Sequence, residues 1–174
     1  MSTEYVILVD EQDQELGVME KMQAHREAKL HRAVSVFVFN SKGELLLQKR
    51  AATKYHSANL WTNTCCSHPK PTEDTLAAAN RRLQEEMGLR CEIKYAFNFT
   101  YLTAFENGLS EHEFDHVFFG FSDDMPNPNP QEVAAYKYMS LQEIENQLKQ
   151  NSQEFTAWFK LIFDRVKNEL NKII

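Results

Sequence analysis

The stretch Trp61–Leu89, WTNTCCSHPKPTEDTLAAANRRLQEEMGL, limits the fold of this chain more than any other, because it sets a thiol and an imidazole directly ahead of a helix. Cys66 and His68 stand two apart, and Pro69 and Pro71 keep the following backbone from becoming helical at once. Thr72 is the expected N-cap, with Glu73 and Asp74 in a first turn where the helix dipole favours anions. Leu76, Ala79, Leu83 and Met87 recur at helical spacing, and Gly88 closes the pattern as a C-terminal cap. That stripe leaves Arg82, Glu85 and Glu86 off the core face. Arg82 and Glu86, four apart, are surface neighbours.

Around this segment the pattern is mostly that of strands. Glu4 to Val9 reads as a strand, EQDQELG as a turn, and Val18 to Lys21 as the start of a segment that is helical through His25 and Lys29. RAVSVFVF (Arg32 to Phe39) and Glu44 to Lys49, on either side of Asn40–Gly43, predict a hairpin. Tyr55 to Leu60 reads as loop. Cys91 to Phe105 and Leu109 to Phe121 are strand-like about the turn Asn107-Gly108. In the second of these the period of two sends Glu111, Glu113 and Asp115 to one face, and His112, Phe114 and His116 to the other. Glu111 and Glu113 then stand roughly 7 Å apart along the backbone, close enough to converge on one ion.

Met125 to Pro130 is a fixed surface loop and Val133 to Met139 a strand. Leu141 to Lys149 is a short helix capped by Ser140 with Glu143 in the capping-box position, and Phe155 to Leu170 a longer one. Strands interspersed with helices predict an α/β class, as an α+β mixed sheet, in a single domain over residues 1–174.

Charge and composition narrow the function. With 19 basic and 25 acidic residues the net charge is −6, which argues against generic nucleic-acid binding and against an anionic membrane surface. An anionic small molecule is compatible if cations gather locally. The longest early apolar run, Tyr5 to Val9, is far short of a signal core or a membrane span, so a cytoplasmic location is expected. Three cysteines, Cys65, Cys66 and Cys91, make no disulfide framework. No feature specifies an oligomeric state.

Ser67, Glu73 and RRLQEEMGL (Arg81 to Leu89) resemble the Nudix box, with every spacing kept and two identities changed. Ser67 replaces the leading Gly, and Arg82 replaces the Glu that follows the Arg. In Nudix hydrolases that Glu helps bind catalytic ions, so hydrolysis of a nucleoside diphosphate derivative is the second reading. Leu30-His31, Trp61-Thr62-Asn63, Cys66-Ser67-His68-Pro69, Tyr101, the Glu111/Glu113 pair and Trp158 together resemble the type I isopentenyl diphosphate isomerases over roughly Val6 to Phe159.

That resemblance implies a Nudix-like fold and interconversion of isopentenyl and dimethylallyl diphosphate by a 1,3-allylic proton shift. It implies Cys66 and Glu113 as the proton-transfer pair, and Tyr101 and Trp158 as the aromatic lining of a carbocation pocket. His25, His31, His68, Glu111 and Glu113 are implied to hold a metal, with Mn²⁺, Zn²⁺ and Mg²⁺ all open. Glu86 would hold Mg²⁺ with the diphosphate. Lys21, Arg50, Lys54, Arg82 and Ser67 are implied to bind the substrate. Neighbouring Lys or Arg groups are expected to shift the Cys66 thiol toward proton exchange at neutral pH. His56, His112 and His116 have no implied role and read as ordinary surface or core residues, as Cys65 and Cys91 read as small hydrophobes.

Overall fold

The fold is built around the apolar strand β3 (His31–Phe39), whose Val34, Val36 and Val38 enter one core while Phe37 and Phe39 enter another. Burial on both faces is why this strand lacks polar alternation. The computed structural model describes residues 2–174. Along one edge β3 pairs in parallel with β8 (Ser110–Phe121), from His31 opposite Glu113 to Phe39 opposite Phe121. Its other edge is shared in turn by β1 (Tyr5–Val9) at His31, β6 (Cys65–Ser67) at Val34 to Val36, and β4 (Leu45–Arg50) at Phe39. The expected hairpin of β3 and β4 therefore holds only at its turn. Its strands part after one pair, because β6 takes the backbone groups that β4 would have used.

The rest of the nine-stranded sheet follows from these pairings. β7 (Ile93–Ala104) runs antiparallel to β8 about Asn107-Gly108, as expected, and β9 (Val133–Met139) and the short β5 (Trp61–Thr62) flank β4. The segment read as turn running into helix contains a further strand, β2 (Glu15–Glu20), paired with β1. Helix α1 (Lys21–Arg26) consequently starts later and is shorter than its pattern suggested; Glu20 caps it by accepting from the backbone of Met22 and Gln23.

Helix α2 (Thr75–Met87) covers one face of the sheet with Ala78, Ala79, Leu83 and Met87. Its N-cap is Asp74, which accepts from Leu76 and Ala77, and not Thr72, whose φ of +70° lies in a left-handed turn. Glu73 accepts from the Lys70 amide and pairs with Arg81 at 2.8 Å, so it belongs to the turn before the helix. Leu76 is exposed and Glu86 buried, which rotates the core stripe from the expected one. Helices α3 (Leu141–Gln150), with its Ser140/Glu143 capping box, and α4 (Ala157–Asn171) cover the other face, α4 packing Phe159, Phe163 and Val166 on Phe37, Phe97 and Phe119. No helix among the described residues is long and apolar enough to cross a membrane.

Candidate active site

Sheet register assembles the site. Tyr101, Glu113 and His31 lie in one row across β7, β8 and β3, and Ser35 of β3 lies opposite Cys66 of β6. The alternation of β8 buries Glu111, Glu113 and Asp115 together. Helix α1 adds His25, and the chain leaving β6 adds His68.

His25, His31, His68 and Glu111 each offer a donor atom within 4.8 Å of the others. Glu113 Oε2 is 2.7 Å from His68 Nε2 and 3.4 Å from His31 Nε2. The hydrogen bonds fix which nitrogens face inward. His25 Nδ1 is 2.6 Å from the Lys21 carbonyl and His31 Nδ1 is 2.8 Å from the Lys29 carbonyl. A carbonyl only accepts, so each Nδ1 carries a hydrogen and each Nε2 can turn a lone pair inward.

His31 Nε2 and His68 Nε2 face each other at 3.2 Å, and the buried Oε2 of Glu111 has no hydrogen-bond partner. Burial alone would lower the His31 pKa, but Glu111 and Glu113 outweigh it and hold the ring up to about 10. Burial would likewise raise Glu111, yet His25, His31 and His56 hold it well below the usual carboxylate range. The cluster thus attracts positive charge, and three imidazoles with two carboxylates fit a first-row divalent ion.

Cys66 lies on the other side of a small cavity of about 30 Å³, lined also by His56, Tyr101, Glu113 and Trp158. The Tyr101 hydroxyl donates to Glu113 Oε1. The Trp158 indole N–H donates to Cys66 Sγ at 3.3 Å, and the thiol donates to Asn63 Oδ1 at 3.0 Å. Burial first, and the nearby Asp115 carboxylate second, push the thiol up to about 12. This reverses the expected drift toward neutrality. The nearby guanidinium of Arg50 lowers the value, but by less than burial raises it.

Next to this chamber opens a cavity of about 570 Å³ lined by Lys21, Arg50, Lys54, Arg82 and Ser67, with Lys70 and Arg81 beyond them. All five residues expected to bind substrate are therefore together. Lys21 is paired with Glu4 and Lys54 with Glu132, while Arg82 reaches Glu85 at 2.6 Å, Glu86 at 3.1 Å and Glu132 at 3.3 Å. The buried Nε atoms of Arg50 and Arg82 nevertheless lack partners. A buried guanidinium with a spare donor fits an anion such as a phosphate group.

The NUDIX domain model matches residues 29–159. The isopentenyl-diphosphate Delta-isomerase of Pectobacterium atrosepticum is 55% identical over 161 residues, which is 92% of this chain and 90% of that protein. The chain belongs to the isopentenyl-diphosphate isomerases of the Nudix family. An isopentenyl-diphosphate Delta-isomerase from Serratia proteamaculans is 46% identical, covering 97% of this chain and 95% of its own length. Among solved structures, a Deinococcus radiodurans protein superposes with a TM-score of 0.79 at 21% identity, covering 93% of this chain and 98% of its own, which speaks for the fold alone.

Within this isomerase-family framework two residues depart from expectation. Glu86, expected to hold an ion at the surface, is buried between Arg82 and Gln48, whose Nε2 is 3.4 Å away, and it is not part of the histidine cluster. His56, to which sequence assigned nothing, is buried with Nε2 2.6 Å from Glu111 Oε1. Its motif-free loop carried no signal by which to find it. His112 binds the Ala28 carbonyl and His116 binds Asp13, both away from the cavity.

Proposed function

We propose that this protein interconverts isopentenyl and dimethylallyl diphosphate in the cytoplasm, with Cys66 and Glu113 as the proton-transfer groups. One observation carries the reading. A thiol and a carboxyl group from segments far apart in sequence line one small aromatic chamber, beside a second cavity rich in cations. Hydrolysis needs an activated water at the phosphate, whereas a thiol and a carboxyl group on the wall of an aromatic chamber suit proton transfer to and from a hydrocarbon.

Lys21, Arg50, Lys54 and Arg82 bind the diphosphate, and Ser67 lies at the passage between the two cavities. Their carboxylate partners yield to phosphate oxygens, which guanidinium groups grip in pairs. The hydrocarbon is directed to the chamber, which at about 30 Å³ must widen to take five carbons. A proton added to the terminal alkene carbon makes a methyl group and a tertiary cation; loss of a proton from the carbon nearer the diphosphate forms the new double bond. Cys66 serves one of these carbons and Glu113, with Tyr101 donating to it, serves the other. The reaction is reversible, so each group donates in one direction and accepts in the other. Asn63 accepts the thiol hydrogen and fixes the Cys66 sulfur at the chamber wall. Trp158 presents an indole whose face stabilises a cation by about 0.5 to 2 kcal/mol.

The residues fit Mn²⁺ or Zn²⁺ in the His25/His31/His68/Glu111/Glu113 cluster. When bound, the ion supplies a fixed positive charge that orients Glu113. Glu86 would be the carboxylate to hold an Mg²⁺ brought by the diphosphate, and that ion would supply charge for the phosphate oxygens.

Incubation with isopentenyl diphosphate in D₂O is expected to give dimethylallyl diphosphate carrying deuterium in a methyl group. Recovery of unlabelled substrate, or release of phosphate, would overturn the proposal.

A further inference from the structure

We propose that His56 is a positioning residue of the metal cluster, donating from Nε2–H to Glu111 Oε1 and so holding that carboxylate in place for the ion. The proposal rests on the metal-centre reading above. His56 lies in the loop between β4 and β5 and contributes two things at once: a hydrogen bond to a candidate ligand and a ring packed into the wall of the hydrocarbon chamber.

The tautomer follows from the partners. Glu111 Oε1 accepts, so at 2.6 Å the hydrogen is on His56 Nε2. Its Nδ1 is then an acceptor, and the Ser57 hydroxyl lies 3.0 Å from it. His25 Nε2 lies 2.7 Å from the same Glu111 oxygen, but its hydrogen is committed at Nδ1 to the Lys21 carbonyl, so two acceptor atoms meet there, as two ligands of one ion do. Of the two rings that meet Glu111 Oε1, His25 therefore offers a lone pair and His56 offers a hydrogen. That makes His25 a candidate ligand and His56 a support. The remaining oxygen, Oε2, is the one with no partner and lies 3.6 Å from His31 Nε2.

The ring is also held in place. It stacks on Phe105 with centroids 4.3 Å apart and planes at 13°, and meets Tyr55 at 4.5 Å and Trp158 at 5.7 Å edge to face. Its carbonyl accepts from Arg50 Nη2 at 3.1 Å. The carboxylate is thus steered by a donor that cannot swing away. Loss of such a donor behind a metal ligand weakens ion binding by about 10- to 100-fold.

Phe and Gln substitutions separate the hydrogen bond from the packing. His56→Phe keeps a flat ring against Phe105 and Trp158 but has no donor; His56→Gln keeps an N–H donor but has no ring. The full chain, stripped with chelator, is titrated with Co²⁺ and Mn²⁺ against a competing chelator, and the visible spectrum of the Co²⁺ form is recorded. His56→Phe is expected to bind about 10- to 100-fold more weakly with an altered spectrum, and His56→Gln to recover most of the affinity. Ser57→Ala, which leaves the ring in place, is expected to weaken binding by about two- to tenfold and carries the test if the Phe variant fails to fold. Wild-type affinity and spectrum in His56→Phe, or equal losses in the Phe and Gln variants, would overturn the inference while leaving the metal centre standing. Failure of the wild-type protein to bind either ion would instead overturn the metal reading itself.

Discussion

Asn63 Oδ1 lies 3.0 Å from Cys66 Sγ, and the Asn63 amide has only one orientation open to it. Its Nδ2 donates to the carbonyls of Val36 at 3.1 Å and Cys65 at 2.8 Å, which fixes the oxygen toward the thiol. The Cys66 hydrogen is therefore parked on Asn63, and the sulfur lone pairs are left for Trp158.

Asn63→Ala removes the acceptor and strands two buried carbonyls. Leaving such groups unpaired costs about 1 to 3 kcal/mol each, and misplacing a reacting group costs about 10²-fold in rate. The expected result is a lower Tm together with a kcat reduced by about 10²-fold and KM little changed. Steady-state kinetics on the folded variant check this, and a wild-type kcat would show that the thiol needs no such partner.

Cys66→Ser and Glu113→Gln each delete one proton-transfer group at nearly constant shape. General acid–base groups contribute about 10²- to 10⁴-fold, so each variant is expected to lose at least that much of kcat. Their circular dichroism spectra are expected to match the wild type. Near-normal turnover in either one would remove that residue from the reaction.

Glu132 stands between two cations of the larger cavity. Burial raises its carboxyl, but Lys54 and Arg82 outweigh burial and hold it below its ordinary value of 4.5. A carboxyl group with a lowered folded pKa adds stability that is present above the unfolded pKa and is lost as pH falls through the folded one. The Tm difference between wild type and Glu132→Gln is therefore expected to stay constant from about pH 7 to 5 and to shrink below about pH 4.5. The same variant frees Lys54 and Arg82 and is expected to lower KM for the diphosphate. A Tm difference unchanged across the acid range would contradict the assignment.

Gly88 ends α2 at φ +63°, and a Cβ there would lie 2.4 Å from the Asn127 carbonyl oxygen. Asn127 cannot retreat freely, because its own amide donates to the Met87 carbonyl at 2.8 Å. Gly88→Ala combines left-handed strain with overpacking, at about 2 to 4 kcal/mol. Thermal unfolding is expected to show Tm lowered by roughly 5 to 15 °C. A shift near zero would mean that the loop at Asn127 yields at little cost.

What the sequence determined was local and chemical. The alternation from Ser110 to Val117 set Glu111, Glu113 and Asp115 on one face, the turn residues Asn107-Gly108 placed the β7–β8 hairpin, and the motif residues from Trp61 to Gly88 carried the family. These depend on backbone periodicity and on side-chain types at short spacing, which a linear reading captures. Tertiary structure decided the rest. Backbone ladders carry no sequence label, so nothing in RAVSVFVF announced that β8 would lie along one edge of β3 while β1, β6 and β4 divided the other. Burial, which depends on every neighbouring element at once, turned Glu86 inward and pushed the Cys66 thiol up. His56 is the plainest case. It occupies a loop without periodicity or motif, and only the folding of β8 against that loop brings Glu111 within 2.6 Å of its ring.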